Sequence, residues 1–317
     1  MNKILLIGGT GKIGKYVLDE LLRNKEFDVR LLLRGTIDNK FSKNTSFHGD
    51  IMVRESLYEG VEWCDVVVNC AGMVSYKTSD YALLNRINVD GTKNILDACS
   101  KFNRPLLHTS SAVVYGSTLK PISHLETFSV PTTYLSGYAR SKLAADQMIF
   151  SSSIKSLILR PSTLISPSGS TFAKLFSVYK MGFRAGLEGG ASFVSPSDIS
   201  QVYGRAILYL LKNEFQKNIF NIGGNNILIK GVFDFFLKYK PRKTFYISNK
   251  MLNALSYLND RFLLPVLNKS IITRDNYLTG SLFTYLNSDK AIRELGYSIT
   301  PFPEAAKKIL NNADHGR

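Results

Sequence analysis

Short, almost unbroken apolar runs alternate with amphipathic stretches through the first two thirds of the chain. The runs at 3–7, 29–33, 66–70, 106–110 and 156–159 are rich in Val, Leu and Ile and barely alternate in polarity. That is the pattern of strands buried on both faces. Helical spacing falls between them, over 12–23, 81–101 and 134–150. Strands interleaved with helices predict right-handed crossovers and a parallel sheet, so the expected architecture is doubly wound α/β.

After Pro161 the pattern changes. Pro167-Ser168-Gly169 and Gly189-Gly190 mark loops, and later elements are shorter: a helix over 198–212, a strand over 219–222 and a closing helix over 304–310. This predicts a dinucleotide-binding domain over 1–160. A smaller, mainly substrate-binding lobe is expected over 161–317, with some elements returning to the main sheet.

Charge and cysteine usage narrow the function classes. The formal charge of +15 admits nucleic acid, an anionic membrane, or an anionic cofactor and substrate. The cations are spread along the chain, and the densest cluster, Lys238, Lys240, Arg242 and Lys243, runs into a strand-like segment. No nucleic-acid motif accompanies it, so it reads as a solvated edge. Cys64, Cys70 and Cys99 lack metal-ligand spacing, and no apolar run has bilayer length. With glycines ending the first apolar run after four residues, no secretory signal is expected either, and a cytoplasmic protein without metal follows.

The first strand runs directly into Gly8-Gly9-Thr10-Gly11-Lys12-Ile13-Gly14, which opens a helix. Backbone must approach a pyrophosphate closely at such a turn, and a β-carbon would block it. The helix N-terminus then presents N–H groups and the positive end of its dipole. Gly9, Gly11 and Gly14 satisfy one dinucleotide spacing; Gly8, Gly11 and Gly14 satisfy a wider one. The second strand ends in Arg34 where NAD binding would ask for an acid, so NADP is the preferred cofactor and NAD the alternative.

Tyr-x-x-x-Lys places a phenol and an ammonium one helical turn apart, where the cation can stabilise a phenolate. The pattern occurs three times. Tyr239/Lys243 encloses Pro241, and Tyr246/Lys250 straddles a strand-to-helix junction; only Tyr138/Lys142 lies in a helical run. Thr109, Ser110 and Ser111 end a buried strand, where parallel sheets place ligands. Ser111 is therefore expected to orient a substrate oxygen, with a helix-cap serine as the bland reading.

Together these residues resemble the extended short-chain dehydrogenase/reductase superfamily, the NAD-dependent epimerases and dehydratases, with its Rossmann fold. Further motifs carry the likeness: Gly49-Asp50-Ile51, Asn69-Cys70-Ala71-Gly72, Asn88-Val89-Asp90-Gly91-Thr92, Leu159-Arg160-Pro161, Ser197-Asp198-Ile199, Phe220-Asn221-Ile222-Gly223-Gly224 and Glu294-Leu295-Gly296-Tyr297. The resemblance implies a catalytic set of Ser111, Tyr138 and Lys142. It implies cofactor contacts at Gly8, Thr10, Gly11, Lys12, Ile13, Gly14, Arg34, Asp50, Ile51, Ala71, Gly72, Asn88, Thr109, Tyr138, Lys142 and Pro161. The implied reaction moves a hydride between a nicotinamide and a secondary alcohol or ketone, on a nucleotide-linked keto-sugar or a hydrophobic ketone. A nucleotide-sugar epimerase with tightly bound NAD is the alternative, and a non-catalytic NADP-binding sensor or scaffold a second. Ala112 and Val113 after Ser111 depart from the acidic residues of dehydratases, and Ser162-Thr163-Leu164 from the asparagine of epimerases. The likeness also implies a homodimer. The apolar stripe over 251–267 admits a lipophilic pocket, a membrane surface or ordinary core of the lobe, and the core reading is favoured.

Overall fold

The computed structural model describes residues 1–35, 45–127, 135–259 and 272–315. In chain order the strands are β1 (Asn2–Ile7), β2 (Phe27–Leu33), β3 (Ser46–His48), β4 (Val66–Asn69), β5 (Leu106–Thr109), β6 (Ser123–His124) and β7 (Ser156–Pro161). Then come β8 (Thr163–Leu164), β9 (Phe183–Ala185), β10 (Gly190–Val194), β11 (Lys217–Ile222), β12 (Asn225–Leu228), β13 (Phe245–Ile247) and β14 (Phe283–Leu286). The helices are α1 (Gly14–Arg23), α2 (Tyr58–Trp63), α3 (Tyr81–Asn85), α4 (Gly91–Phe102), α5 (Gly137–Ser151) and α6 (Thr171–Lys180). They continue with α7 (Pro196–Lys212), α8 (Ile229–Tyr239), α9 (Asn249–Leu258), α10 (Arg274–Ser281), α11 (Asp289–Leu295) and α12 (Phe302–His315).

Among the described residues, seven strands form one parallel sheet in the order β11-β7-β5-β4-β1-β2-β3. The order reverses direction beside β1 and β4, the switch point where α/β sheets bind ligands at their carboxyl ends. Successive side chains of one strand enter opposite cores. Ile4 and Leu6 join α1 and α7 on one face, whereas Leu5 and Ile7 join α2, α4 and α5 on the other. Both faces exclude water, so the strands need apolar residues at every position.

The later half divides its elements. α7 and β11 belong to the main sheet's layers, with Ile199, Val202, Tyr203 and Ala206 buried in the α1-side core. α11 packs there too, through Ala291 and Leu295. Among the described residues the remaining strands, with β6, form two small sheets, β12-β10-β14-β6 with β8 on β10, and β13-β9. These enclose a separate core of rings: Phe172, Tyr179, Phe193, Phe233, Phe236 and Phe302.

The expected helix over 81–101 is interrupted. Arg86–Asp90 forms a π turn between α3 and α4, with Asn88 buried at its centre. Such turns carry one residue beyond the α repeat and recur at functional sites.

Candidate active site

The glycine turn is shaped by contacts that leave no room for side chains. Gly8 has φ +78°, and a β-carbon there would lie 2.5 Å from the Ala71 amide nitrogen. On Gly14 it would lie 2.0 Å from the Gly8 carbonyl oxygen. The Gly11 amide donates to that same carbonyl at 2.9 Å. α1 follows without a side-chain cap and without an acid in its first turn, so its positive end is uncompensated. A pyrophosphate fits this cradle. Thr10, Lys12 and Ile13 lie within the turn, and the Lys12 ammonium donates to the Gly169 carbonyl at 2.5 Å, tying the turn to the lobe.

Around it stand the other expected cofactor residues. Asp50 closes its own loop, its carboxylate accepting from the Met52 amide at 2.9 Å. The Asn94 side chain donates through Nδ2 to the Ile51 carbonyl at 2.8 Å. Arg34 is exposed just past the end of β2. Pro161 ends β7, buried against β11. A β-carbon on Gly72 would meet Asn88 Oδ1 at 3.2 Å and Lys142 Nζ at 3.9 Å, which brings the β4 loop, the π turn and α5 to one point. Asn88 locks that junction: its Nδ2 donates to the Met73 carbonyl at 3.0 Å and the Ser141 hydroxyl at 2.9 Å, and its Oδ1 accepts from the Met73 amide at 2.8 Å.

Tyr138 and Lys142 are both buried on α5, which Ser136 caps by accepting from the Ala139 amide. Burial pushes the Tyr138 phenol up to about 12; a hydrogen bond with the Ser111 hydroxyl opposes this, and the Asp146 carboxylate adds to it. Ser111 also caps the short 3-10 turn Ala112–Tyr115, accepting from the Val113 amide at 3.4 Å. The cap reading of this serine is therefore observed, and its hydroxyl also meets the Tyr138 phenol.

The geometry departs from expectation at two places. Lys142 was expected to draw the phenol down, yet its ammonium faces β5, donating to the Thr109 carbonyl at 2.8 Å and lying 3.2 Å from His108 Nε2. The Asp146 carboxylate raises the phenol, after the larger effect of burial. Three strand-end hydroxyls were expected at the site, and of these Ser111 meets the Tyr138 phenol. Thr109 pairs with the Tyr203 hydroxyl at 2.6 Å and Ser110 donates to Asp146 at 2.8 Å, both inside the sheet layers.

Burial lowers Lys142 to about 8. His108, also fully buried, is held well below its ordinary range by burial and then by the Lys142 charge. The Asn69 side chain accepts from the Ala71 amide through Oδ1 and so turns Nδ2 to His108 Nδ1 at 3.1 Å. That assigns the ring proton to Nε2, against Lys142. An Nε2–H facing an ammonium is a donor–donor contact, and an uncharged amine relieves it.

Beside this centre lies a cavity of about 660 Å³. Tyr76 links the two, meeting the Tyr138 ring edge-on at 6.0 Å while lining the cavity with Val113 and Ala139. Most of the remaining wall is aliphatic or aromatic: Leu175, Val178, Met181, Phe183, Leu187 and Leu252 are among its members.

Residues 4–195 match the family described as "NAD dependent epimerase/dehydratase family". The chain belongs to this family. It is similar to the decarboxylating sterol-4-alpha-carboxylate 3-dehydrogenase of Candida albicans, with 27% identity over 183 residues, 53% of this chain and 52% of that protein. It is also similar to the 4-hydroxy-2-methyl-3-oxo-4-farnesyl-3,4-dihydroquinoline-1-oxide ketoreductase of Stigmatella aurantiaca, with 24% identity over 310 residues, 93% of this chain and 92% of that one. The chain spans about half the length of the sterol dehydrogenase relatives it matches. The fold is shared with the solved UDP-glucose 4-epimerase of Thermus thermophilus in complex with NAD, at TM-score 0.72 and 20% identity, covering 98% of each chain.

Several polar residues of this epimerase/dehydratase-family site had no role in the sequence reading. Asp146 and Arg160 form an ion pair at 2.9 Å with both side chains fully buried. Arg160 Nη1 donates to the Tyr115 hydroxyl at 2.8 Å, which donates to Asn221 Oδ1 at 2.7 Å. This chain bolts α5, β7, β11 and the 3-10 turn together behind Ser111 and Tyr138. Charged residues inside apolar strands are the available signal, since burying them requires partners. The rival tyrosine–lysine pairs also separate as expected, Tyr239 ending α8 and Tyr246 lying on β13. Of the stripe over 251–267, residues 260–267 lie outside the described residues. The described part divides: Leu252 joins the aromatic core, Leu255 lines the cavity, and Met251, Tyr257 and Leu258 are exposed. Among the described residues, no helix is long and apolar enough to cross a membrane.

Proposed function

We propose that this protein is an NAD(P)-dependent dehydrogenase or reductase that acts on a ketone or secondary alcohol carried on a lipophilic body. The observation that carries this is the apolar cavity abutting Tyr138 through Tyr76. Its wall offers methyl, methylene and ring surface, with Lys174 its one cation among the described residues. A diphosphate-linked sugar would ask for more charge than that. The two relatives above, named for a sterol carboxylate and a farnesyl quinoline, support the same reading.

The dinucleotide fits the turn because Gly8, Gly11 and Gly14 leave backbone bare beside an uncapped helix. These glycines would hold the pyrophosphate and Lys142 the nearby ribose. Bound there, the nicotinamide supplies a hydride donor or acceptor. The chain's own groups handle the substrate oxygen. Burial keeps the Tyr138 phenol protonated, so it stands loaded to give its proton to a carbonyl oxygen as the carbon receives the hydride. Ser111 donates to the same oxygen and fixes its direction. Arg34, exposed at the end of β2, suits a ribose 2′-phosphate, and this supports NADPH as the reductant.

The test is turnover of NADPH on a panel of water-soluble ketones, long-chain ketones and nucleotide-linked keto-sugars. The expected result is a KM that falls as apolar length grows. Ala185→Trp, which fills the cavity wall, should raise KM for the long ketones only. Preference for the keto-sugars, or isomerisation of a nucleotide sugar with no net cofactor consumption, would sink the reading.

A further inference from the structure

The cavity's outer wall is also protein surface. Met181, Phe183 and Leu255 line the cavity and are exposed. Around them lie further exposed apolar side chains. Phe245, 78% exposed, faces Phe183 across the β13-β9 pair, and Tyr246 follows it on the same strand. On α9, Met251, Leu255 and Leu258 follow at helical spacing along one outward face, with Tyr257, 67% exposed, beside them. Monomeric surfaces rarely cluster so many large apolar groups without a partner.

The charge around this patch has one sign. From Thr171 to Leu187 the chain carries Lys174, Lys180 and Arg184 and no acid. From Phe235 to Asn259 it carries Lys238, Lys240, Arg242, Lys243 and Lys250 and no acid. The two stretches are joined in space: Phe245 pairs with Phe183, and the Arg242 guanidinium donates to the Lys180 carbonyl. Three acids flank these stretches in sequence: Glu188 and Asp234, which share a neighbouring hollow with Arg184 and Lys230, and Asp260, which lies outside the described residues. An apolar patch fringed by an excess of cations is complementary to an anionic bilayer, with rings at the acyl boundary and ammonium groups among the phosphates.

We infer that this end of the lobe docks on an anionic phospholipid surface, so that the apolar cavity opens toward the bilayer and exchanges its lipophilic substrate there. The delivery half of this inference rests on the function proposed above; the docking half does not. A protein-protein contact would fit the apolar patch alone, whereas the cationic fringe, with Arg184 set aside for its acidic neighbours, selects the membrane.

Co-sedimentation of the full chain with vesicles tests the docking without any turnover. Vesicles of phosphatidylcholine containing about one third phosphatidylglycerol should bind at least roughly tenfold more protein than pure phosphatidylcholine, and added salt should release it. Lys240→Glu/Lys243→Glu/Lys250→Glu should abolish the preference. Phe245→Ser/Met251→Ser should weaken binding several-fold while the thermal melting curve and cofactor binding stay at wild-type values, since neither side chain lines the cavity. Equal uptake by both vesicle types, no uptake by either, or uptake by the folded charge-reversed variant equal to wild type would overturn the inference. So would a dimer that Phe245→Ser splits while vesicles bind nothing. A lipid-binding protein that prefers keto-sugars would instead refute the substrate reading and leave the docking intact.

Discussion

The two halves of the site achieve their selectivity by opposite means. On the sheet side, backbone does the recognising: glycines are stripped of side chains by neighbours 2.0–2.5 Å from where a β-carbon would stand, and polar groups are held by buried partners. On the lobe side, side chains line a roomy cavity and little polar bonding fixes them. A backbone cradle tolerates almost no substitution and reads one ligand feature, a phosphate. An aliphatic wall can be repacked cheaply and reads only size and polarity.

The largest effect that would break the contrast is expected at its seam. Tyr138→Phe should lower kcat by about 10²–10⁴-fold with cofactor affinity unchanged, measured as NADPH consumption against nucleotide titration. Retention of full activity would remove the phenol from the chemistry. Next comes the buried ion pair behind it. Asp146→Ala leaves the Arg160 guanidinium without its carboxylate inside the protein, and should cost on the order of 3–5 kcal/mol in chemical denaturation. A cost below about 1 kcal/mol would mean that the polar bolt is not what holds this half rigid.

A smaller and pH-dependent effect concerns Lys142, whose amine titrates at about 8 when folded and at an ordinary 10.5 when unfolded. Below about 8 the folded state must carry a buried charge that the unfolded chain carries freely, so this group opposes folding at neutral pH. The penalty is relieved as pH rises from about 8 to 10.5. Lys142→Met apoprotein should therefore be more stable than wild type at pH 7, by up to roughly 3 kcal/mol. The gap should close by about pH 10, and a gap that is constant with pH would refute the charge assignment. The smallest effect sharpens the cofactor side. Arg34→Ala should weaken NADPH binding by about tenfold and NADH binding hardly at all. Equal weakening of both would withdraw the NADP preference.

The parallel sheet and its cofactor turn were legible because their requirements are local. Strands buried on both faces must be apolar throughout, and a turn against a phosphate must be glycine. That Ser111 and Tyr138 would meet was legible because hydroxyl and phenol occur in order on elements whose ends converge; their part in a reaction is the proposal above. The orientation of Lys142 was not legible. It depends on His108 and on the Thr109 carbonyl, groups brought beside α5 only by β5 packing against it. Thr109 and Ser110 illustrate the same limit: adjacent hydroxyls at one strand end turn to different layers, and no spacing rule says which faces the cleft. The lobe was least legible, because short strands and a ring-filled core leave only weak periodicity. The stripe at 251–258 serves the core, the cavity and the surface at once, and a hydrophobic count cannot divide those duties.

The π turn at Arg86–Asp90 makes this protein a poor subject for idealisation. Removing one residue there to obtain a regular α-helix would turn everything on one side of the cut by roughly 100° relative to the other. Asn88 would then swing off Met73 and Ser141, and the β4 loop would lose the clasp that sets its distance from α5. An engineer seeking heat resistance should regularise any other helix first.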